Sequence, residues 1–165
     1  MTPSTGFPPI ARADAQILIL GSLPGERSIR EQQYYAHPQN AFWRIMAELY
    51  GIAGDYADRA AQLCTQGIAL WDVLHSSVRP GSMDADIQLD RATVNDFPGF
   101  FAAHEGIALI AFNGRKAEQL FRRFVDPLGE TPDVNRASLP STSPAYAAMP
   151  FSGKLAAWRK ALCGD

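Results

Sequence analysis

Unbroken apolar runs and helical stripes alternate along this chain. Ile17–Leu20 is an aliphatic stretch stopped by Gly21, and Gly67–Val73 (GIALWDV) and Ile107–Phe112 (IALIAF) repeat the pattern. A half-exposed strand would alternate apolar with polar residues, so continuous runs predict strands buried on both faces, as in a parallel sheet. Arg136–Pro140 is a weaker fourth candidate. Between these runs Phe42, Met46, Leu49 and Tyr50 recur at helical spacing, as do Ala117, Leu120, Phe121 and Phe124. Ala57–Cys64 and Leu155–Leu162 are further helix candidates. Strands alternating with helices predict an α/β fold, a single three-layer domain with a short, mainly parallel central sheet flanked by helices. Val78–Ile87 reads as one long loop. Met1–Ala15, with its prolines, reads as a flexible lead-in to a single domain over residues 16–165.

In such sheets ligands bind beyond the carboxyl ends of the strands. The segments expected there are Gly21-Ser-Leu-Pro-Gly25, Trp71-Asp72 with the loop to Asp86, Asn113-Gly114, and Leu139-Pro-Ser-Thr-Ser-Pro-Ala145. Each is small, polar or turn-forming, which a turn needs anyway; their coincidence at all the predicted strand ends is what points to a site. Neither the dinucleotide-binding glycine pattern nor the nucleoside-triphosphate loop follows the first strand. Instead come turns and then aromatics, Tyr34 and Tyr35, in a segment broken by Pro38. A ring face to stack on and amides to read an edge suit a planar ligand. The plain alternative is that these rings only cover the core.

Composition narrows the classes. The chain has 165 residues, 47% of them hydrophobic, and a formal charge of −2, so it does not coat nucleic acid through charge alone. Backbone N–H groups and hydroxyls can still hold a few phosphates. The longest aliphatic run is too short to span a bilayer and no signal-peptide pattern opens the chain, so a cytoplasmic protein without a membrane partner is expected. Cys64 and Cys163 cannot supply an iron–sulfur cluster or an all-cysteine zinc site, and His37, His75 and His104 lack ligand spacing; no metal and no cofactor are expected.

The segments "ILILGSLPGERSIREQQYYAHPQNAFW", "GIALWDVL", "VRPGSMDADI", "IAFNG" and "LPSTSPA", spread from Ile17 to Trp158, resemble the uracil-DNA glycosylase superfamily and most closely its hypoxanthine-DNA glycosylase branch. The resemblance implies a uracil-DNA glycosylase-like fold and a monofunctional enzyme that removes a deaminated base, hypoxanthine or uracil, from DNA for base-excision repair. It also implies a monomer that needs no protein partner. Mismatch-specific relatives have GINPG and FAGPGNRFW where this chain has GSLPG and YAHPQNAFW; by that match Tyr35 takes the place of the ring that stacks on the flipped base. Gly21, Ser22 and Leu23 fall in the first motif, where Leu23 replaces the Asn or Asp that activates water in other relatives. Leu139-Pro140-Ser141 stands where relatives carry HPS or NPS. The hypoxanthine branch is similar in lacking both polar residues, and the residue it relies on matches Asn40.

Breaking a base–sugar bond demands stabilisation of the departing base and a water presented to the sugar. An amide such as that of Asn40 can orient water through its carbonyl or hold the base through its NH2; its ordinary alternative is to cap the helix beginning near Ala41. Asp72, ending the second long run, is a candidate acid, base or base-edge reader, or a turn cap. Asn113 is a candidate base reader, or part of an ordinary Asn-Gly turn. Ser28, Ser141, Thr142 and Ser143, stiffened by Pro140 and Pro144, are candidates to clamp phosphates, and Tyr146 or Met149 to fill the vacated stack. Lys116 is the only lysine near a predicted strand end, so a Schiff base is not expected and water is the expected nucleophile. Loss of both usual catalytic positions keeps open a second reading, a module on the same fold that binds a base or damaged DNA without cutting.

Overall fold

A computed structural model describes residues 4–78 and 87–164. Four parallel strands form the central sheet: β2 (Ile17–Gly21), β3 (Ile68–Asp72), β6 (Leu109–Asn113) and β7 (Asn135–Leu139), in the order β3-β2-β6-β7. The ladder runs Ile17↔Ile68 to Gly21↔Asp72 on one side of β2 and Ile17↔Leu109 to Leu20↔Phe112 on the other. β2 and β6 therefore carry a neighbour on each edge, and the unbroken apolar runs of β2, β3 and β6 are buried as expected. β7 is an edge strand, with a mixed sequence to match.

The helices are α1 (Glu26–Glu31), α2 (Phe42–Tyr50), α3 (Tyr56–Thr65), α4 (Phe97–Ala103), α5 (Arg115–Phe124) and α6 (Phe151–Cys163). Local chemistry sets their starts. Asp55 accepts the Asp58 N–H at 2.9 Å to open α3, and Asp96 accepts that of Gly99 at 3.1 Å to open α4. Aromatic contacts then lock the layers: Phe97 of α4 meets Trp71 of β3 and Phe121 of α5, Phe121 meets Phe112 of β6, and Phe42 of α2 meets Trp158 of α6. Trp71, placed by sequence among the ligand-facing residues, turns into this core and donates its indole N–H to the Phe7 carbonyl.

Two features depart from the sequence reading. Residues 79–86 of the expected loop Val78–Ile87 lie outside the described residues, but that loop is flanked by a pair of strands, β4 (Leu74–Val78) and β5 (Gln88–Val94). With β1 (Ser4–Thr5) they make a second, antiparallel sheet in the order β1-β4-β5. Their mixed polar composition and irregular register, Leu74↔Val94 then Ser76↔Thr93, hid them from a pattern search. The segment expected to be a flexible lead-in is tied to the body from Ser4 onward. Gly6 N–H donates to His75 O at 2.7 Å, and Ile10 exchanges both backbone bonds with Leu70. Its backbone supplies the outer edge of β3 with partners that the strand would otherwise lack. Among the described residues no helix is long and apolar enough to cross a membrane.

Candidate active site

The carboxyl ends of β2, β3, β6 and β7 open on one cavity of about 490 Å³. That lies within the roughly 300–1,000 Å³ usual for small-molecule sites. Most residues singled out from sequence for the site reach its wall: Gly21, Ser22 and Leu23 after β2, Ser28 of α1, Tyr35 and Asn40 before α2, Asp72 ending β3, Asn113 ending β6, and Ser141, Thr142, Ser143 and Pro144 after β7.

The floor is built around Gly21. It pairs in register with Asp72, and a methyl carbon at Gly21 would stand 2.5 Å from Asp72 Oδ1 and 2.8 Å from the Tyr35 hydroxyl. Only a residue without a side chain lets the carboxylate and the phenol converge on that point. Asp72 is 4% exposed, and its backbone carbonyl accepts the Asn95 amide at 2.7 Å, so Asn95, which the sequence reading missed, fixes the end of β3. The Leu23 side chain is buried in the core cluster and carries no polar atom.

Tyr35 has φ of 55°, in the left-handed region that a bulky residue enters at a cost of roughly 1–3 kcal/mol. Its neighbours hold it there. Tyr34 is buried with every polar atom engaged: its N–H donates to the Tyr56 hydroxyl at 3.1 Å, its carbonyl accepts the Trp43 indole N–H at 2.8 Å, and its hydroxyl donates to the Phe7 and Pro8 carbonyls at 3.3 and 3.0 Å. Burial, reinforced by the nearby Asp72 and Tyr35, pushes the Tyr34 phenol far above its usual range and keeps it a neutral donor. Tyr34 is thus a structural anchor at the cavity wall, and Tyr35 beside it lines the same cavity. One face of Tyr35 stacks on Phe42, centroids 4.4 Å apart at 29°.

Two expected phosphate contacts also brace the fold. Ser28 is buried and its hydroxyl oxygen accepts the Ala36 N–H at 3.0 Å, bracing the far side of Tyr35. Thr142 is 1% exposed. Its Oγ1 accepts the Asn113 NH2 at 2.9 Å, its N–H donates to Asn113 Oδ1 at 2.9 Å, and its carbonyl accepts the Ala41 N–H at 3.0 Å. Asn113 therefore works as a clasp on the loop after β7, and Ala41 stitches that loop to the segment carrying Asn40. Gly114, at φ 93°, lets the clasp close, since a methyl there would stand 3.2 Å from Ser141 Cβ.

At the rim, the Ser141 and Ser143 hydroxyl oxygens accept the N–H groups of Ser143 and Ala145 at 3.1 and 3.2 Å. A hydroxyl that accepts in this way keeps its O–H as a donor. The loop is backed by α6: Trp158 donates to the Pro140 carbonyl at 3.0 Å, and Lys154 to that of Ser143 at 3.2 Å. Burial holds the Lys154 ammonium below its usual range. It lies 5.4 Å from the Tyr146 ring centroid, and Tyr146 itself, 40% exposed, stands at the cavity mouth. Met149 folds over Gly153 rather than lining the cavity. Lys154 left no signal in the sequence, because a lysine three residues into a helix reads as surface.

Residues 8–163 match the family model of the uracil DNA glycosylase superfamily. A protein of Methanosarcina acetivorans named hypoxanthine DNA glycosylase is 38% identical over 143 residues, covering 85% of this chain and 86% of its own. One of the same name from Methanosarcina barkeri is 39% identical over 115 residues, covering 68% of this chain and 72% of its own. A solution NMR structure from Methanosarcina acetivorans, provisionally named a uracil DNA glycosylase, superposes with a TM-score of 0.77 at 35% identity, covering 96% of this chain and 98% of that one. By its motifs, its fold and these relatives the chain belongs to the uracil DNA glycosylase superfamily, on the side of the hypoxanthine DNA glycosylases.

Proposed function

We propose that the protein is a monofunctional DNA glycosylase that hydrolyses the bond between a deaminated base, hypoxanthine or uracil, and its deoxyribose. The observation that carries this reading is the cavity in which the two motif loops meet, with an aromatic ring, a carboxylate and an amide around a floor cleared by Gly21. Such a base cannot be reached inside the stack, so the nucleotide must rotate out, at a cost of about a few kcal/mol that is least for a mispaired base. Tyr35 stacks on the flipped ring, the backbone of Gly21, Ser22 and Leu23 flanks it, and Asp72 and Asn113 face its edge. Asn40 acts on the chemical step with Asp72. Ser141, Ser143 and the stiff turn at Pro144 suit phosphates flanking the flipped nucleotide, and Tyr146 at the mouth suits the gap left in the stack. The protein acts as a monomer, in the cytoplasm, on DNA alone.

The test is direct. Purified protein is incubated with duplexes carrying hypoxanthine or uracil, then alkali cleaves any abasic site. Strand scission that depends on the alkali step is expected; intact strands with tight binding of the same duplexes would leave a binding module instead.

A further inference from the structure

The polarity of Asn40 is set by its neighbour in the chain. Its Oδ1 accepts the Phe42 backbone N–H at 2.9 Å. A backbone N–H can only donate, so the atom facing it is the carbonyl oxygen, and the two ends of the amide are assigned by the network itself. The amide is planar; with its oxygen turned to the start of α2, its NH2 points elsewhere. Among the described residues this NH2 meets no acceptor, while Asn40 lines the cavity and is only partly exposed. The Asn40 backbone N–H is also held, by His37 O at 2.9 Å, so the side chain is braced before any ligand arrives.

From this geometry we infer that Asn40 serves the reaction as a hydrogen-bond donor to the departing base, not as the group that orients the attacking water. The inference rests on the glycosylase reading and deepens it. In the hydrolysis the C1′–N bond breaks and its electron pair stays with the base. A water oxygen bonds to C1′ and gives up one proton, and the base nitrogen gains one, so one water is consumed and an abasic sugar and a neutral base result. Negative charge grows on the base as the bond stretches, and a donor fixed in advance stabilises that charge most in the transition state. The carbonyl, already occupied by Phe42, has one lone pair left for a water proton. The Leu23 side chain has no polar atom to donate. The NH2 of Asn40 is a donor that neither the Leu23 nor the Leu139 side chain can supply.

Asn40→Asp separates the roles, because its carboxylate still accepts the Phe42 N–H but presents no donor. Parent, Asn40→Asp and Asn40→Ala are compared in single turnover near neutral pH on two bases of similar shape and unequal leaving ability. These are uracil and 5-fluorouracil if the parent excises uracil, or hypoxanthine and xanthine if it excises hypoxanthine. The melting temperature should stay near the parent's in Asn40→Asp and fall in Asn40→Ala. Both variants should lose at least about a hundredfold in rate, the scale of one preorganised transition-state partner, and the loss should be severalfold larger on the poorer leaving base. An Asn40→Asp rate within about tenfold of the parent would overturn the inference, as would equal losses on the two bases. A parent inactive on all of these duplexes would overturn the glycosylase reading and the inference with it.

Discussion

Gly21→Ala is the smallest change that reaches the floor of the site. Its methyl carbon would lie 2.5 Å from Asp72 Oδ1 and 2.8 Å from the Tyr35 hydroxyl, short of an ordinary 3.4 Å contact by about 0.9 and 0.6 Å. Gly21 lies in extended strand paired to Asp72, outside the left-handed region, so the conflict is steric and not conformational. Both obstacles are side-chain tips. The backbone of β2 can therefore stay in place while the carboxylate and the phenol are pushed apart. Overpacking of this kind costs about 1–3 kcal/mol, or roughly 2–4 °C of melting temperature per kcal/mol in a chain of this size. The same displacement acts on catalysis more steeply, because a shift of about 1 Å in a reacting geometry can cost a hundredfold in rate. The assay is single-turnover base release by Gly21→Ala against the parent, with thermal melts on the same preparations. A variant that melts a few degrees lower and reacts about a hundredfold more slowly is expected. Parent-like rates would show that the convergence of Asp72 and Tyr35 on Gly21 does not matter to the reaction.

Tyr35→Ala should slow single-turnover excision about ten- to hundredfold, the worth of one base–aromatic stack, while Tyr35→Phe keeps the ring face and should retain most of the rate; an unimpaired Tyr35→Ala would move the base pocket elsewhere. Thr142→Val leaves the Asn113 NH2 without its acceptor, a loss of about 1–3 kcal/mol that should appear as a lower melting temperature and weaker DNA binding, with Thr142→Ser restoring both. Away from the site, Arg136 holds Asp126 through bonds of 2.7 and 2.8 Å, and this hydrogen-bonded pairing keeps the Asp126 carboxyl below its usual 3.8. The folded pKa lies below the unfolded one, so the stabilisation is complete above about 3.8 and is lost as pH falls through the folded value. Acid titration of stability should accordingly be shallower in Arg136→Met than in the parent, and identical titrations would remove the pair from the account.

The sequence by itself determined the frame and the place of the candidate site. Runs such as Ile17–Leu20 and Ile107–Phe112 are apolar at every position, and only a strand covered on both faces suits them, so the parallel sheet and the site at its carboxyl ends follow from local pattern and topology. The motifs around Gly21, Tyr35, Asn40 and Ser141 were legible for the same reason: turn glycines, prolines and aromatics in unusual company mark loops that carry function. What tertiary structure decided was the use of each polar atom. Ser28 and Thr142 look like any loop hydroxyl in sequence, and only folding shows their oxygens engaged by Ala36 and Asn113. The anchoring of Tyr34 depends on Phe7, Trp43 and Tyr56, and Lys154 finds Ser143 across the fold. The β4–β5 pair and the docked N-terminal segment escaped because their mixed sequences are stabilised by partners distant along the chain. The direction in which the Asn40 amide points is likewise a property of its fit against Phe42, since a hydrogen bond is fixed by where its partner lies and not by the residue's own identity.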